Sequence, residues 1–230
     1  MSEFFLASRT LVIGDIHGCL AQFDTLLESL APTTEDHLIL LGDYIDRGSD
    51  SSGVLNRILK LSAKCRLTAL MGNHEQMMLA ARDSREKLSD WLLNGGDATL
   101  KSYAGVRSTL RDIPNEHWQF LTKSLVAYVE TDTHIFVHAN VSPDLPMDEQ
   151  PDYMLRWERC DKILPHESGK IIVCGHTPQL SGAPLNRGYA VCIDTNVYGG
   201  GPLTCMETNS GRIWQADGAG HIKRAHISDF

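Results

Sequence analysis

The sequence predicts an α/β fold in which a largely parallel sheet is joined by crossover helices. Short apolar runs that end at a glycine alternate with stretches whose apolar residues recur at helical spacing. The first pattern is typical of a buried strand, and the alternation is typical of a parallel sheet. At 230 residues, of which 42% are hydrophobic, the chain fits one domain over residues 1–230.

The first half of the chain repeats the order strand, polar loop, helix three times. The predicted strands are Thr10–Ile13, Leu38–Leu41 and Arg66–Met71, and the loops after them are Gly-Asp-Ile-His-Gly (14–18), Gly-Asp-Tyr-Ile-Asp-Arg-Gly (42–48) and Gly-Asn-His-Glu (72–75). Because parallel strands bring their carboxyl ends to one edge of a sheet, we expect the three loops to share a crevice.

A helical excursion is expected at about residues 80–124. Within it, Asn94-Gly95-Gly96 is predicted to end a helix, since glycine is the usual left-handed residue after a helix. Pro114 is predicted to be the first residue of another helix.

The second half of the chain is rich in predicted strands. They are Tyr128–Glu130, His134–Val137, Ile171–Cys174, Tyr189–Ile193, Leu203–Thr208 and Arg212–Gln215. Two of them end in polar sequences like those of the first half, namely His138-Ala139-Asn140 and Gly175-His176-Thr177-Pro178.

Composition excludes several classes of partner. The formal charge of −8 argues against nucleic-acid binding, which needs a basic surface. We see no signal peptide and no apolar run long enough for a membrane span, so no membrane partner is expected. The six cysteines show no CxxC spacing and are interpreted as reduced thiols of a cytoplasmic protein.

The side chains that follow these strands form a set of potential metal ligands. The set is Asp15, His17, Asp43, Asn73, His138 and His176. Mixed carboxylate, imidazole and amide ligands suit manganese, with iron and zinc as alternatives. Six ligands suit two divalent ions about 3.5–4 Å apart, which need a bridging carboxylate, and Asp43 is our candidate for it. The remaining positive charge, together with Arg47, would hold a phosphate.

The ordered loop motifs, followed by His138 and Gly-His-Thr, resemble those of the metal-dependent phosphoprotein phosphatase (PPP) family. This family belongs to the calcineurin-like metallophosphoesterases, and the chain is most similar to its bacteriophage lambda phosphatase type. The resemblance covers residues 14 to 177. It implies a four-layer α/β/β/α sandwich around two mixed β-sheets.

The resemblance also implies a role for each matching residue. Asp15 and His17 would hold the first metal, Asp43 would bridge, and the remaining ligands would hold the second, with Asn73 also near substrate. His74 would be the general acid, oriented by Asp46, and Arg47 would donate hydrogen bonds to the phosphate oxygens. Trp157-Glu158-Arg159 matches a Trp-x-Arg segment, so Arg159 is preferred to Arg156 as the second phosphate contact.

The implied activity is that of a serine/threonine-type protein phosphatase. A metal-bridging hydroxide would attack phosphoserine or phosphothreonine in a protein, with phosphotyrosine and small phosphate esters left open as substrates. The alternative is a dinucleoside polyphosphate (diadenosine tetraphosphate) hydrolase, although such enzymes typically have Ala-Arg-Gly and Gly-Asn-His-Asp where this chain has Asp46-Arg47-Gly48 and Gly-Asn-His-Glu. A phosphodiesterase or nuclease is disfavoured because Pro178 stands where a further histidine is usual. A non-enzymatic phosphate-binding scaffold would be expected to have lost a ligand.

Two positions depart from the family pattern. Asn140 and Asn196 stand where glycine is common. Apart from glycine, asparagine is the residue that best tolerates a positive φ. We therefore expect the backbone path to be retained at both positions.

Overall fold

The computed structural model describes residues 9–230, and within that range the strands form two mixed sheets. The strands are β1 Thr10–Ile13, β2 His37–Leu40, β3 Arg66–Leu70, β4 Leu125–Val126, β5 Tyr128–Glu130, β6 His134–Val137, β7 Ile171–Cys174, β8 Leu185–Asn186, β9 Ala190–Cys192, β10 Leu203–Glu207, β11 Arg212–Ala216 and β12 Ile222–His226. One sheet has the order β12-β11-β10-β1-β2-β3-β4, and the other has the order β5-β6-β7-β9-β8.

The helices of the same range flank these sheets. They are α1 Leu20–Leu30, α2 Ser51–Ser62, α3 Asn73–Ala80, α4 Arg85–Trp91, α5 Asp97–Ala104, α6 Asn115–Lys123 and α7 Asp152–Arg156. Strands β1 to β4 are parallel neighbours, as are β6, β7 and β9. The carboxyl ends of each parallel set therefore lie at one edge of its sheet.

Three apolar clusters separate four layers. Alternate residues of β1 show the arrangement: Leu11 and Ile13 pack with Phe23 of α1 and with α2, whereas Val12 packs against the second sheet. A further cluster covers the outer face of the second sheet and includes Leu155 of α7. The α/β/β/α sandwich with two mixed sheets is therefore confirmed.

Strand positions agree with the sequence prediction to within one or two residues. Three strands were not predicted, namely β4, β8 and β12. The first two have only two residues each, and β12 is a polar edge strand, Ile-Lys-Arg-Ala-His, that lacks a buried face. Such segments carry too little hydrophobic pattern to be recognised.

The helix that contains α4 ends at Asn94-Gly95-Gly96, as predicted. Gly95 leaves the helical path with a φ of 106° and a ψ of 3°, and α5 begins at Asp97 after this kink. A Cβ at Gly95 would lie 2.8 Å from Cγ of Arg47 and 2.9 Å from its backbone nitrogen. Glycine is therefore needed here both for the left-handed turn that ends the helix and for close approach to the Arg47 loop.

Pro114 lies one position before α6, which begins at Asn115. Its extended backbone, with ψ at 146°, makes it the residue that precedes the first helical turn. The prediction that Pro114 is the first helical residue is wrong by one position, a difference within the usual uncertainty of helix ends.

Candidate metal centre

The carboxyl ends of five strands bring the predicted ligands together between the two sheets. Asp15 and His17 follow β1, Asp43 follows β2, and Asn73 is the first residue of α3 after β3. His138 and His176 follow β6 and β7 of the second sheet. Five of these six side chains are buried, and His176 is partly exposed.

Each of the three ligand histidines uses one ring nitrogen to bind a backbone carbonyl. His17 Nδ1 lies 2.9 Å from Ile45 O, His138 Nδ1 lies 2.9 Å from Leu41 O, and His176 Nε2 lies 3.0 Å from Trp157 O. A carbonyl only accepts, so that nitrogen carries the proton and the other nitrogen presents a lone pair. This is how metal-binding histidines are usually oriented.

The lone pairs of His138 and His176 converge on one acceptor. His138 Nε2 and His176 Nδ1 each lie 3.0 Å from Asn73 Oδ1, and Asp43 Oδ1 lies 3.5 Å from His138 Nε2. These atoms would repel one another without a positive charge between them. The arrangement therefore fits a cation with nitrogen and oxygen ligands.

The other oxygen of Asp43 faces the opposite side of the centre. Asp43 Oδ2 lies 3.5 Å from His17 Nε2, on the side away from His138. One carboxylate thus presents one oxygen to each half of the ligand set, which is the geometry that a bridge between two ions requires. A Cβ at Gly72 would overlap Asp43 Oδ1, so glycine is needed beside this carboxylate.

Electrostatics also favour cations at this place. Burial, reinforced by the charges of Asp194 and Asp43, raises the pKa of Asp15 well above its ordinary value. Burial lowers the pKa of His17 to about 3 and that of His176 to about 4, so both rings are neutral at pH 7. Neutral imidazoles beside crowded carboxylates are what divalent ions need as ligands.

His74 differs from the ligand histidines. Its Nδ1 lies 2.7 Å from Asp46 Oδ2, whereas its Nε2 lies 4.0 Å from Asp43 Oδ2. Burial alone would lower the pKa of His74, but the charge of Asp43 and the hydrogen bond to Asp46 outweigh it and raise that pKa. His74 is therefore suited to carry a proton beside the centre.

Arg47 lies at the rim of the same centre. Its Nη1 is 2.9 Å from His17 Nε2, and its guanidinium carbon lies 4.4 Å from the centroid of the Tyr198 ring. The Tyr198 ring also meets His17 edge-on, with centroids 5.0 Å apart. Stacking on Tyr198 holds the planar guanidinium where an anion bound at the centre could reach it.

The profile of the calcineurin-like phosphoesterases matches residues 8–180. The chain belongs to the calcineurin-like phosphoesterase family. Members of this metallophosphoesterase family depend on a pair of metal ions, and the donor set described above fits such a pair. The predicted class of hydrolase is thereby confirmed, whereas the identity of the metal is not tested.

Among curated relatives of this phosphoesterase, two differ in name and in extent of similarity. Serine/threonine-protein phosphatase 1 of Salmonella typhimurium is 46% identical over 87 residues, which cover 37% of this chain and 38% of that protein. The symmetrical bis(5'-nucleosyl)-tetraphosphatase of Chromohalobacter salexigens is 26% identical over an alignment of 283 positions, covering 95% of this chain and 99% of that protein.

Solved structures similar to this phosphoesterase carry both kinds of name as well. A putative diadenosine tetraphosphatase has a TM-score of 0.64 at 21% identity and covers 96% of this chain and 95% of its own. A cold-active protein-tyrosine phosphatase of a Shewanella species has a TM-score of 0.61 at 22% identity and covers 94% of this chain and 80% of its own. At such identities the likeness establishes the fold.

The two arginines considered for the second phosphate contact, Arg159 and Arg156, differ in environment. Arg159, the predicted second phosphate contact, has a side chain 58% exposed, and its Nε pairs with Asp161 Oδ2 at 2.8 Å. Arg156 is buried, pairs through Nη1 with Asp152, and is left with a buried Nε that has no partner among residues 9–230. Arg159 is thus not brought to the ligand cluster, and its role stays a prediction.

The two asparagines that replace common glycines behave differently. That the backbone path of the family is retained at both positions stays a prediction. Asn196 has a φ of 61°, a left-handed backbone that asparagine tolerates. Asn140 is not among the left-handed residues of the described chain. Its amide instead donates to Arg159 O at 2.9 Å and accepts from the backbone of Val141, which ties the His138 loop to the Arg159 segment.

Sequence reasoning missed the residues that support the centre. Glu75 accepts hydrogen bonds from the backbone nitrogens of Asp43, Tyr44 and Gly72, and burial raises its pKa to about 8. Its place in Gly-Asn-His-Glu was the one signal available. Asp194 is also buried, and its Oδ2 has no partner within residues 9–230.

Two further supports come from the helical stretch. Trp91 Nε1 donates to Asp46 Oδ2 at 2.9 Å, and Thr99 Oγ1 donates to Asp46 Oδ1 at 2.7 Å. Burial raises the pKa of Asp46, and these donors, which together with His74 occupy both of its oxygens, offset part of that rise. Nothing in the local sequence around Trp91 or Thr99 points to Asp46.

No helix among residues 9–230 is both long enough and apolar enough to span a bilayer.

Proposed function

We propose that the chain is a dinuclear metal-dependent phosphomonoesterase acting on phosphoserine and phosphothreonine in proteins. The observation that carries this proposal is the buried pair of His74 and Asp46, whose proton-bearing ring lies directly beside the Asp43 carboxylate. A protonated imidazole at this position is useful for a substrate whose leaving group needs a proton, as an alkyl phosphate does.

The ligand roles are part of this proposal, and the distances from Asp43 to His17 and to His138 support them. Asp15 and His17 would hold one ion, Asn73, His138 and His176 the other, and Asp43 both. When bound, the ions would supply a hydroxide nucleophile and offset the charge of the phosphate. Manganese is preferred for this mixed ligand set, with iron or zinc as alternatives.

The remaining side chains act on the substrate itself. Arg47 would donate to the phosphate oxygens, with Tyr198 beneath its guanidinium limiting the directions in which it can move. His74 would give its proton to the departing alkoxide. Asp46 would stabilise the imidazolium before that step, and Trp91 and Thr99 would keep Asp46 in place.

The second candidate is a dinucleoside tetraphosphate hydrolase. The observation in its favour is the extent of similarity to the Chromohalobacter tetraphosphatase, which runs along almost the whole of both chains. Against it, the loop sequences Asp46-Arg47-Gly48 and Gly-Asn-His-Glu are of the phosphatase type. The higher identity to the Salmonella phosphatase supports the first candidate over 37% of the chain.

A substrate panel separates the two candidates. The enzyme would be assayed with manganese, iron or zinc on a phosphoserine peptide, a phosphotyrosine peptide, p-nitrophenyl phosphate and diadenosine tetraphosphate. The proposal expects the highest kcat/KM on the phosphoserine peptide with manganese. A higher kcat/KM on diadenosine tetraphosphate, with release of ADP, would select the second candidate. Full activity after exhaustive chelation would contradict both.

A further inference from the structure

Three cysteines from separate segments meet behind the candidate metal centre. Cys160 begins a 3-10 turn after α7, Cys174 ends β7, and Cys192 ends β9. The last two are partners in the parallel register of β7 and β9. The three sulfur atoms lie within 4.8 Å of one another, and the exposed fractions of the side chains are 0%, 0% and 2%.

We propose that Cys160, Cys174 and Cys192 form a structural zinc site, separate from the dinuclear centre. Thiolates are the ligands that Zn²⁺ prefers in structural sites, whereas the dinuclear centre is built from nitrogen and oxygen. Three thiolates on a tetrahedral ion with Zn–S bonds of about 2.3 Å lie roughly 3.8 Å apart. Small side-chain rotations would bring the observed sulfur atoms to that spacing.

The surroundings of the cluster supply a hydrogen-bond donor to the sulfurs. The side-chain amide of Gln179 lies 3.9 Å from Cys160 Sγ and 3.7 Å from Cys192 Sγ. The nitrogen of this amide also donates to Thr177 O at 2.6 Å, so the nitrogen side of the amide faces the sulfurs, where it stabilises thiolates by N–H donation. Gln179 therefore supports the sulfur ligands and is not itself a ligand.

Positive charge close by reduces the cost of the thiolates. Binding of Zn²⁺ replaces three thiol protons, which leave to solvent, and the resulting group has a net charge of −1. Arg187 Nη2 binds the backbone carbonyl of Asp161, the residue after Cys160, at 3.0 Å, where its charge can offset that of the thiolates. The charge of Arg159 is already paired with the Asp161 carboxylate at 2.8 Å.

Oxidation of a pair of these thiols is the less favoured use of the cluster. Redox-active cysteines are generally accessible to solvent, whereas these three are buried. A third thiol within the same 4.8 Å also has no place in a simple disulfide. Three mutually close sulfurs correspond to three of the four ligands of a tetrahedral zinc ion.

The position of the site gives it a function in the fold. Cys174 lies two residues before His176, and Cys160 directly follows Arg159. A zinc ion here would tie the His176 loop to the segment that carries Arg159. It would therefore hold one ligand of the dinuclear centre in place without taking part in the reaction.

Cobalt substitution tests the site on the intact chain. Protein expressed in minimal medium with Co²⁺ in place of Zn²⁺ should show intense sulfur-to-cobalt charge-transfer absorption in the near ultraviolet. Nitrogen and oxygen ligands do not give this band, so the dinuclear centre does not contribute. Absence of the band in a protein that shows the weaker cobalt d–d bands would overturn the proposal.

Serine variants assign the band to its ligands. Cys160→Ser and Cys192→Ser should each lose most of the absorption, because removal of a thiolate weakens metal binding strongly. Cys205→Ser is the matched control, since Cys205 is also 0% exposed but lies outside the cluster, on β10. A band that survives in both cluster variants would contradict the assignment.

A thiol count excludes the oxidised form without any substitution. After chelation in denaturant and without reductant, the proposal expects all six cysteines of the chain to react as free thiols. A count of about four in freshly purified protein would indicate a disulfide within the cluster and would refute the zinc site.

Discussion

His74 Nδ1 lies 2.7 Å from Asp46 Oδ2, and the two side chains are 1% and 0% exposed. This short contact lies beside a centre whose other histidines have lowered pKa values, whereas the pKa of His74 is raised, because Asp43 and Asp46 outweigh the effect of burial. One fold thus combines imidazoles whose pKa is lowered with one whose pKa is raised, which is the difference that the proposed metal-binding and proton-donating roles require.

The His74→Asn variant should lose far more activity on phosphoserine peptides than on aryl phosphates. A serine alkoxide has a conjugate acid with a pKa near that of water, about 15.7, whereas a phenol has a pKa near 10. We expect a fall of roughly a hundredfold or more in kcat on phosphoserine, as for loss of a general acid, and a much smaller one on p-nitrophenyl phosphate. Both metals should remain. Equal losses on both substrates would leave His74 as a phosphate-binding residue only.

The Trp91→Phe variant tests whether the helical stretch supports catalysis. The change keeps the buried aromatic ring but removes the donor to Asp46 Oδ2. Without this donor the Asp46 carboxylate is less firmly positioned. The value of kcat on phosphoserine peptides should therefore fall roughly three- to tenfold, since one hydrogen bond to a charged group is lost. Trp118→Phe is the control, because Trp118 stacks on Arg82 and lies outside the Asp46 network. An equal effect in both variants would indicate general destabilisation.

The Arg47→Ala variant should lower kcat/KM at least about tenfold without emptying the metal site, because a charge-assisted contact to the phosphate is removed. Metal analysis alongside kinetics provides the decisive measurement. Arg82→Ala, which removes another arginine stacked on an aromatic ring, should leave kcat/KM unchanged. Loss of metal together with activity in the Arg47 variant would assign it a structural role.

The Asp43→Asn variant should be the most damaging change among the candidate ligands. Each oxygen of Asp43 faces a different half of the ligand set, so loss of one charge weakens both ions. Metal content per chain should fall for both ions and turnover should be lost. Asp36→Asn, which alters a carboxylate of similar burial away from the centre, should retain its metals. Near-normal metal content in Asp43→Asn would refute the bridge.

The pair of Arg9 and Asp36 should contribute stability that depends on pH. Arg9 Nη2 lies 2.6 Å from Asp36 Oδ2, and this hydrogen bond holds the pKa of the carboxyl well below its ordinary value. A depressed pKa contributes stability above the unfolded value, near 3.9, and the contribution is lost as the pH falls toward the folded value. Arg9→Met should therefore lower the free energy of unfolding at pH 7 by about 1.5–3 kcal/mol.

Urea unfolding at pH 7 and at pH 3 measures this effect. The difference in the free energy of unfolding between Arg9→Met and the native chain should be smaller at pH 3 than at pH 7. Arg57→Met provides the comparison, since Arg57 pairs with Asp24 at 2.6 Å but its side chain is 41% exposed. Such an exposed pair should contribute only about 0–1 kcal/mol. If the difference in the free energy of unfolding between Arg9→Met and the native chain is the same at both pH values, the contribution of Arg9 to stability does not come from its ion pair with Asp36.

The sequence predicted those parts of the site that lie next to strand ends. A glycine-closed apolar run and the polar residue after it are local signals, and they place Asp15, Asp43 and His138 at the edges of the two sheets. Trp91 and Thr99 could not be found in this way. Their contacts to Asp46 cross the fold from a helical stretch whose sequence resembles any amphipathic surface.

The arginines and cysteines show a second limit of sequence reasoning. A short motif predicts Arg159 as a phosphate contact, but the motif does not contain the direction of its exposed side chain, which pairs with Asp161 in the structure. Likewise, the cysteines at 160, 174 and 192 have no diagnostic spacing, and they meet because β7 and β9 are neighbours in the sheet. Side-chain direction and strand order are three-dimensional properties that periodicity does not contain.

Five residues of the centre have a left-handed backbone although none of them is glycine. The φ angles are 45° at His17, 51° at Asp43, 72° at Asp46, 68° at Arg47 and 61° at His176. Each such residue costs about 1–3 kcal/mol, against a total stability of about 5–15 kcal/mol for a typical domain. A glycine substitution at any of these positions would relieve the backbone strain, but it would also remove a side chain that is proposed to act at the centre. Selection of this chain for heat resistance alone would therefore favour inactive proteins, and its thermostable active forms must gain their stability elsewhere.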